Sequence, residues 1–384
     1  MEFKTKIRRH KKAQYIYMGI SALVVVLNAA AWASREFCDV YIAYIFPVWV
    51  NTYGRLTGIF PFSVGEIMLG LGVLVILAAA LFGLAAFAVW LARRTRDRQF
   101  WRFIKGYFLF FAWTFLIVCL VMTLNCFILY HASTFSIKYF GEDSGEYGLE
   151  ELVQVRNMVV EKCNALSLEM ERDVDGSILY HEDIGDKAIE SMKALGITYP
   201  QLDGFYPHPK PLYTSDFFCQ QYMCGYYFPF SMEANYNNVM YIMNKPSTMC
   251  HELAHLRGYI FEDEANFISF LACVQSEDKM FQYSGYLSVL NYLDNDFYAA
   301  VGKDRERYLE QPVISKQVLE DNVFVTKEEW DRINKKALID TETVDKVSDV
   351  LVDTTLKANG VSDGMVSYNR VVRLLLQYFN SMEE

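Results

Sequence analysis

Three long apolar runs dominate the first third of the chain. Residues 13–34 are apolar apart from Gln14, Asn28 and small hydroxyls, residues 67–92 contain no charge, and residues 107–130 form a third run rich in Phe and Leu. Each has the ~20 residues that a helix needs to cross a hydrocarbon core. Beyond residue 131 the pattern changes. Residues 136–147, with Gly141, Asp143, Ser144 and Gly145, read as a linker. Helical periods are predicted over Leu149 to about Met170, over Lys187 to about Leu195, and over about 279–298, 303–310, 326–356 and 364–381. Tyr226–Phe230 and Asn238–Met243 read as strands bracketing Glu233-Ala234-Asn235. The expected fold class is α+β, with three N-terminal transmembrane helices and a mainly helical second part that holds a small sheet. The expected domains are residues 1–131 and 132–384.

Residues 36–65 separate the first two runs and are aromatic and largely uncharged, with Tyr41, Tyr44, Phe46, Trp49, Tyr53, Phe60 and Phe62. They suit a membrane interface, and suit equally a re-entrant or packing element. A cleaved signal peptide is the competing reading of the first run. Arg35-Glu36-Phe37-Cys38 is no small-residue cleavage site, and two more spans follow.

Charge predicts the orientation. Six basic residues lie in 1–12 and six more between spans two and three (Arg93, Arg94, Arg96, Arg98, Arg102 and Lys105), against Arg35 and Arg55 between spans one and two. Both basic segments are expected to stay cytoplasmic. Three spans then place residues 132–384 outside, in a multi-pass protein of the cell membrane. That part carries 22 Lys and Arg against 41 Asp and Glu. Such a surface repels phosphate backbones, so nucleic acid is not an expected partner. Eight cysteines at this length are no disulfide framework. Cys219 and Cys224 could pair across a short loop, while Cys250 and Cys273 read as buried small hydrophobes. The sequence sets no oligomeric state.

The chemistry concentrates at residues 251–255, His-Glu-Leu-Ala-His. Histidines four apart share one helical face, so both imidazoles can hold one Zn²⁺. Glu252 between them is placed as a general base on a zinc-bound water. Pro246 suits a first turn, with Ser247 or Thr248 as N-cap. Gly258 suits a left-handed helix end. Then comes Glu262-Asp263-Glu264-Ala265-Asn266 before an apolar run, where a carboxylate could fold back as third ligand. The chain has six histidines, and no other pair has metal-ligand spacing.

His-Glu-Leu-Ala-His, then Gly258, then Glu-x-x-x-Asn resembles the gluzincin zinc metallopeptidases. The resemblance implies a zincin-like domain, Glu262 as third zinc ligand and Asn266 as the residue that supports the site from behind. Glu264 is the alternative ligand, with Ile268 at the matching offset. The chain also resembles an uncharacterised family of bacterial membrane proteins with N-terminal membrane helices and the same HELAHxxGxxxEDEAN block. In zincin folds the strand before the motif helix often forms the wall for an extended substrate; Tyr226–Phe230 could line such a wall, and suit core or membrane-facing packing at least equally. Tyr368 and Arg370 are oxyanion-stabilising candidates by residue type alone.

The expected function is a membrane-anchored zinc metallopeptidase acting on peptides or proteins of the envelope. Its partners are the lipid bilayer and that substrate. Two rivals stand beside it: a zinc-dependent sensor or binding module with little turnover, and a zinc hydrolase of cell-wall or lipid substrates. The cytoplasmic parts, 1–12 and 93–106, are too short to be effector domains, so a sensor would need a separate partner.

Overall fold

The computed structural model describes residues 2–92, 97–141, 147–358 and 370–383. In chain order the principal helices and strands are α1 (Glu2–Ala33), α2 (Arg35–Tyr44), α3 (Val64–Leu91), α4 (Arg98–Met122), α5 (Leu149–Ser167), α6 (Ile184–Thr198), β1 (Lys210–Pro211), β2 (Gly225–Phe228), β3 (Glu233–Tyr236), α7 (Lys245–His255), α8 (Glu262–Val274), α9 (Lys279–Ala300), α10 (Lys327–Lys336), α11 (Thr341–Ala358) and α12 (Arg370–Glu383). The protein is mostly helical, with one small sheet.

Two compact units emerge: Met1–Cys38 with Val64–Ala132, and Asp39–Ser63 with Ser133–Glu384. The first contains three helices long and apolar enough to cross a membrane, Lys11–Ala33, Val64–Leu91 and Arg98–His131, which mark the chain as a membrane protein. α4 packs on both α1 and α3. Two polar side chains within it bond to a neighbouring segment of the same unit, which spares them an unmet bond in hydrocarbon. Asn28 Nδ2 donates to Thr123 Oγ1 at 2.9 Å, and the Tyr107 hydroxyl donates to the Val75 carbonyl at 2.5 Å.

The second unit departs from the 1–131/132–384 division at one place, because Asp39–Ser63 folds into it. Its carboxylate Asp39 accepts from the Ser133 amide and hydroxyl at 2.9 and 2.6 Å and pairs with Lys138 at 3.2 Å. Thr57 Oγ1 donates to the Ser231 carbonyl at 2.9 Å. The buried Lys210 ammonium donates to the carbonyls of Thr57 at 2.7 Å and Phe62 at 3.1 Å, and to the Glu233 carboxylate. Leaving one member of such a buried pair alone costs about 3–5 kcal/mol, so this pair ties β1, β3 and the segment between the first two spans into one body.

At the centre of this unit lies α9, which packs on α5, α7, α8 and α12. It buries Phe281, Tyr283, Leu290, Leu293 and Phe297. The sheet has the order β1-β3-β2, with β1 parallel and β2 antiparallel to the central β3. β2 is an edge strand of this sheet.

Some expected elements differ. Asn238–Met243 is no strand but a turn leading into a 3₁₀ turn at Ile242–Asn244. It is apolar because Met240 and Met243 are buried, and Tyr241 N–H bonds to the Phe324 carbonyl at 2.8 Å instead of to a ladder. The third strand is β3, whose Glu233 and Asn235 conceal its buried position until Lys210 supplies a partner. α7 starts at Lys245 with Asn244 at the N-cap position, so Pro246 does lie in the first turn while Ser247 and Thr248 lie inside the helix. The run 326–356 is two helices, α10 capped by Thr326 and α11 preceded by Asp340, which accepts from Thr343 N–H at 2.9 Å. Residues 359–369, with Tyr368 and the start of the expected 364–381 helix, lie outside the described residues.

Candidate metal centre

α7 presents His251 and His255 one turn apart, and the chain then reverses. Gly258 adopts φ +89°, a left-handed conformation that glycine tolerates. A Cβ there would also lie 2.8 Å from the Ile42 side chain, so glycine is required for space as well. The reversal brings the first turn of α8 back over the histidines.

Successive residues on a helix point about 100° apart, and the three acids opening α8 go three ways. Glu262 faces the histidines, its oxygens 3.0 Å from His251 Nε2 and 3.9 Å from His255 Nε2. Asp263 is buried, 3.9 Å from Arg370 Nε. Glu264 is buried and accepts from the Ser136 hydroxyl at 2.7 Å and amide at 3.2 Å. Glu264 is thus occupied by the segment before α5, while Glu262 joins His251 and His255 in a cluster of three possible ligand atoms.

The two Nε2 atoms lie 3.1 Å apart. Two nitrogens bound tetrahedrally to one zinc would be about 3.3 Å apart, given bonds of ~2.0–2.1 Å. Each outer nitrogen faces an oxygen that can only accept. His255 Nδ1 is 2.7 Å from the Tyr259 carbonyl, and His251 Nδ1 is 2.8 Å from Asn266 Oδ1. Each Nδ1 must therefore carry a hydrogen, which leaves the Nε2 lone pairs pointing at each other and at a carboxylate. Three converging lone-pair donors require a positive charge between them, a proton or a metal ion. The donor set, two imidazoles and one carboxylate, is one that divalent zinc takes.

The electrostatics follow. Burial works to lower His251, but the hydrogen bond and charge of Glu262 outweigh it and raise the imidazole to about 9. Burial, then the charge on His251, push His255 down to about 4. Burial works to raise Glu262, and His251 overcomes it to bring the carboxyl down to about 2. Glu252 is buried and raised to about 8, chiefly by burial, with His251 opposing and Glu262 assisting. Its Oε2 has no hydrogen-bond partner among the described residues. Burial also lifts Glu264, to about 7, against the hydrogen bonds from Ser136.

Further residues complete the surroundings, and of these Gly225 was not singled out in the sequence. Gly225, the first residue of β2, lies over Glu252. A Cβ there would stand 2.5 Å from the Asn235 carbonyl oxygen and 2.8 Å from Glu252 Oε1. A lone glycine inside an aromatic strand is the sequence signal of such a close approach. Tyr227 of the same strand sets its ring 6.0 Å from that of His255. Tyr292 of α9 is raised by burial and then by the charges of Cys224 and Glu262. Cys219 and Cys224 are free thiols, and Cys250 and Cys273 are buried with their sulfurs 3.9 Å apart. A second group, Asp183, Asp186 and His208, is exposed at the start of α6.

No match to the chain was found among curated proteins or among solved structures. Residues 41–376 match the family model described as "Protein of unknown function (DUF3810)". The match takes in most of the segment between the first two spans, the sheet, both site helices and the first half of α12, and the chain belongs to that family.

Proposed function

We propose that this protein is a membrane-anchored zinc metallopeptidase of the gluzincin type, with its site domain on the outer side of the cell membrane. The observation that carries this is the convergence of His251 Nε2, His255 Nε2 and the Glu262 carboxylate beside a buried, unpartnered Glu252 oxygen. His251, His255 and Glu262 would hold the ion, and Asn266 and the Tyr259 carbonyl would fix the two imidazoles. Zinc, when bound through three protein ligands, supplies Lewis acidity that lowers the pKa of a coordinated water towards ~7. Glu252 is the base. A cation beside it favours its carboxylate form, its free Oε2 can take a proton from water, and the same oxygen can return that proton to a leaving amine. The position of β2 at the edge of the sheet suits an extended peptide, since strand addition needs only backbone partners. The Tyr227 ring, 6.0 Å from that of His255, borders the place where such a peptide would lie.

The outer location rests on two observations. Basic residues cluster before span one and between spans two and three. Asp39–Ser63 and Ser133–Glu384 form one folded body, so an even number of crossings must separate them, as two spans provide.

The test uses the full-length protein in detergent. The expected result is one zinc per chain by elemental analysis, lost in His251→Ala, and cleavage of members of a mixed peptide library that Glu252→Gln does not cleave. Equal metal in wild type and His251→Ala would refute the site. Metal without cleavage of any peptide would favour the sensor or the non-peptide hydrolase.

A further inference from the structure

Between Val40 and Ser63 the chain is apolar on two faces, and the domain covers only one. Ile42, Phe46, Val50 and Gly54 recur every four residues and are buried in the second unit. Ile42 packs on Gly258 at the end of the motif helix, and Gly54 lies 3.4 Å, by its Cβ position, from the Met232 carbonyl. A second row, Val40, Tyr44, Val48, Thr52 and Leu56, is offset from the first by two residues, or about 200° of helix, and is apolar except at Thr52, whose hydroxyl donates to the Val48 carbonyl at 2.7 Å. It faces away from the domain, with Tyr44 76% and Val48 53% exposed, and Ile59 at 74% continues it. Residues 40–63 contain one charged side chain, Arg55, whose guanidinium sits 3.9 Å over the Phe205 ring of the domain. An exposed apolar face of this kind needs an occupant.

The chain itself indicates which. α1 ends at Ala33 and α2 begins at Arg35, while Ser63 is followed directly by α3 at Val64. No linker intervenes at either end, so both ends of the segment are held where membrane spans emerge. Aromatic rings interleaved with aliphatic side chains are the composition of a bilayer interface. We propose that the face formed by Val40, Tyr44, Val48, Leu56 and Ile59 docks on the lipid bilayer, so that the segment is a plate with membrane on one side and the site domain on the other. The proposal is independent of the peptidase reading.

The experiment places an environment-sensitive fluorophore on Tyr44→Cys and on Ile59→Cys in the full-length protein, reconstituted in phosphatidylcholine–phosphatidylglycerol vesicles. The protein without an added cysteine gives the background. Val174→Cys, at a fully exposed position of the same unit, is the aqueous reference. Both substituted side chains face outward, so folding is retained. The expected result is quenching by nitroxide-labelled lipid several-fold stronger than by a water-soluble nitroxide, with the reverse at Val174→Cys. Quenching like that of Val174→Cys would overturn the proposal. Protection from both quenchers would overturn it too, and would identify a protein surface as the occupant.

Discussion

A buried carboxyl held near 8 is mostly protonated at neutral pH, and Glu252 is such a group until a cation stands beside it. The same cation replaces the proton that His251, raised to about 9, otherwise holds between the three ligand atoms. Two outcomes follow at this scale. Glu252→Gln should keep its metal and lose turnover by about 10²-fold or more, whereas Glu262→Gln should lose metal far more readily than Glu264→Gln. Metal titration of the three variants checks this, and greater loss in the Glu264 variant would reassign the ligand. The second concerns pH. Metal must displace a proton from a group whose metal-free pKa is about 9, so affinity should fall as pH drops below that value and proton release should accompany binding at pH 7. Calorimetry in buffers of different ionisation enthalpy reads that release, and its absence would contradict the sign.

At the scale of elements, α7, α8 and β2 form the site because each brings a different constraint. α7 supplies the four-residue spacing and Gly258 the reversal. α8 supplies helical phase: Glu262 and Asn266, four apart, both face His251, while Glu264 turns to Ser136. β2 lays Gly225 across Glu252. Gly225→Ala would drive a methyl into the space between Glu252 and the Asn235 carbonyl. We expect it to retain zinc while losing about 10²-fold in turnover, since a displacement near 1 Å at a reacting group has that effect. Metal content and kcat measured on one preparation decide the matter. Unchanged kcat would mean that Glu252 does not need its present position.

For the whole molecule, the folding of Asp39–Ser63 with Ser133–Glu384 constrains topology independently of charge. Both segments must share one side of the membrane, and the proposed orientation, drawn from the positive-inside asymmetry, makes it the outer one. A reporter fused after Glu384, or protease added to intact cells and spheroplasts, should find the domain outside. A cytoplasmic C-terminus would refute the orientation and with it a substrate pool of exported and envelope proteins.

Local features were readable without coordinates. Apolar runs long enough for a bilayer, the basic flanks, the His251/His255 pair and the Glu262/Asn266 offset all depend on residues within a turn or a span of each other. Where the outcome rests on partners far along the chain, only the tertiary structure decides. Glu233 and Asn235 look unlike a central strand until Lys210 is found beside them. Asn238–Met243 looks like a strand because burial under a loop selects the same residues as burial in a sheet. The aromatic segment between the first two spans could not be assigned from composition, since rings suit both lipid and a packed core. Tertiary contacts give its inner row to the domain and leave its outer row uncovered. Gly225 is the sharpest case: in the chain it is one small residue among tyrosines, and only the fold brings it against Glu252.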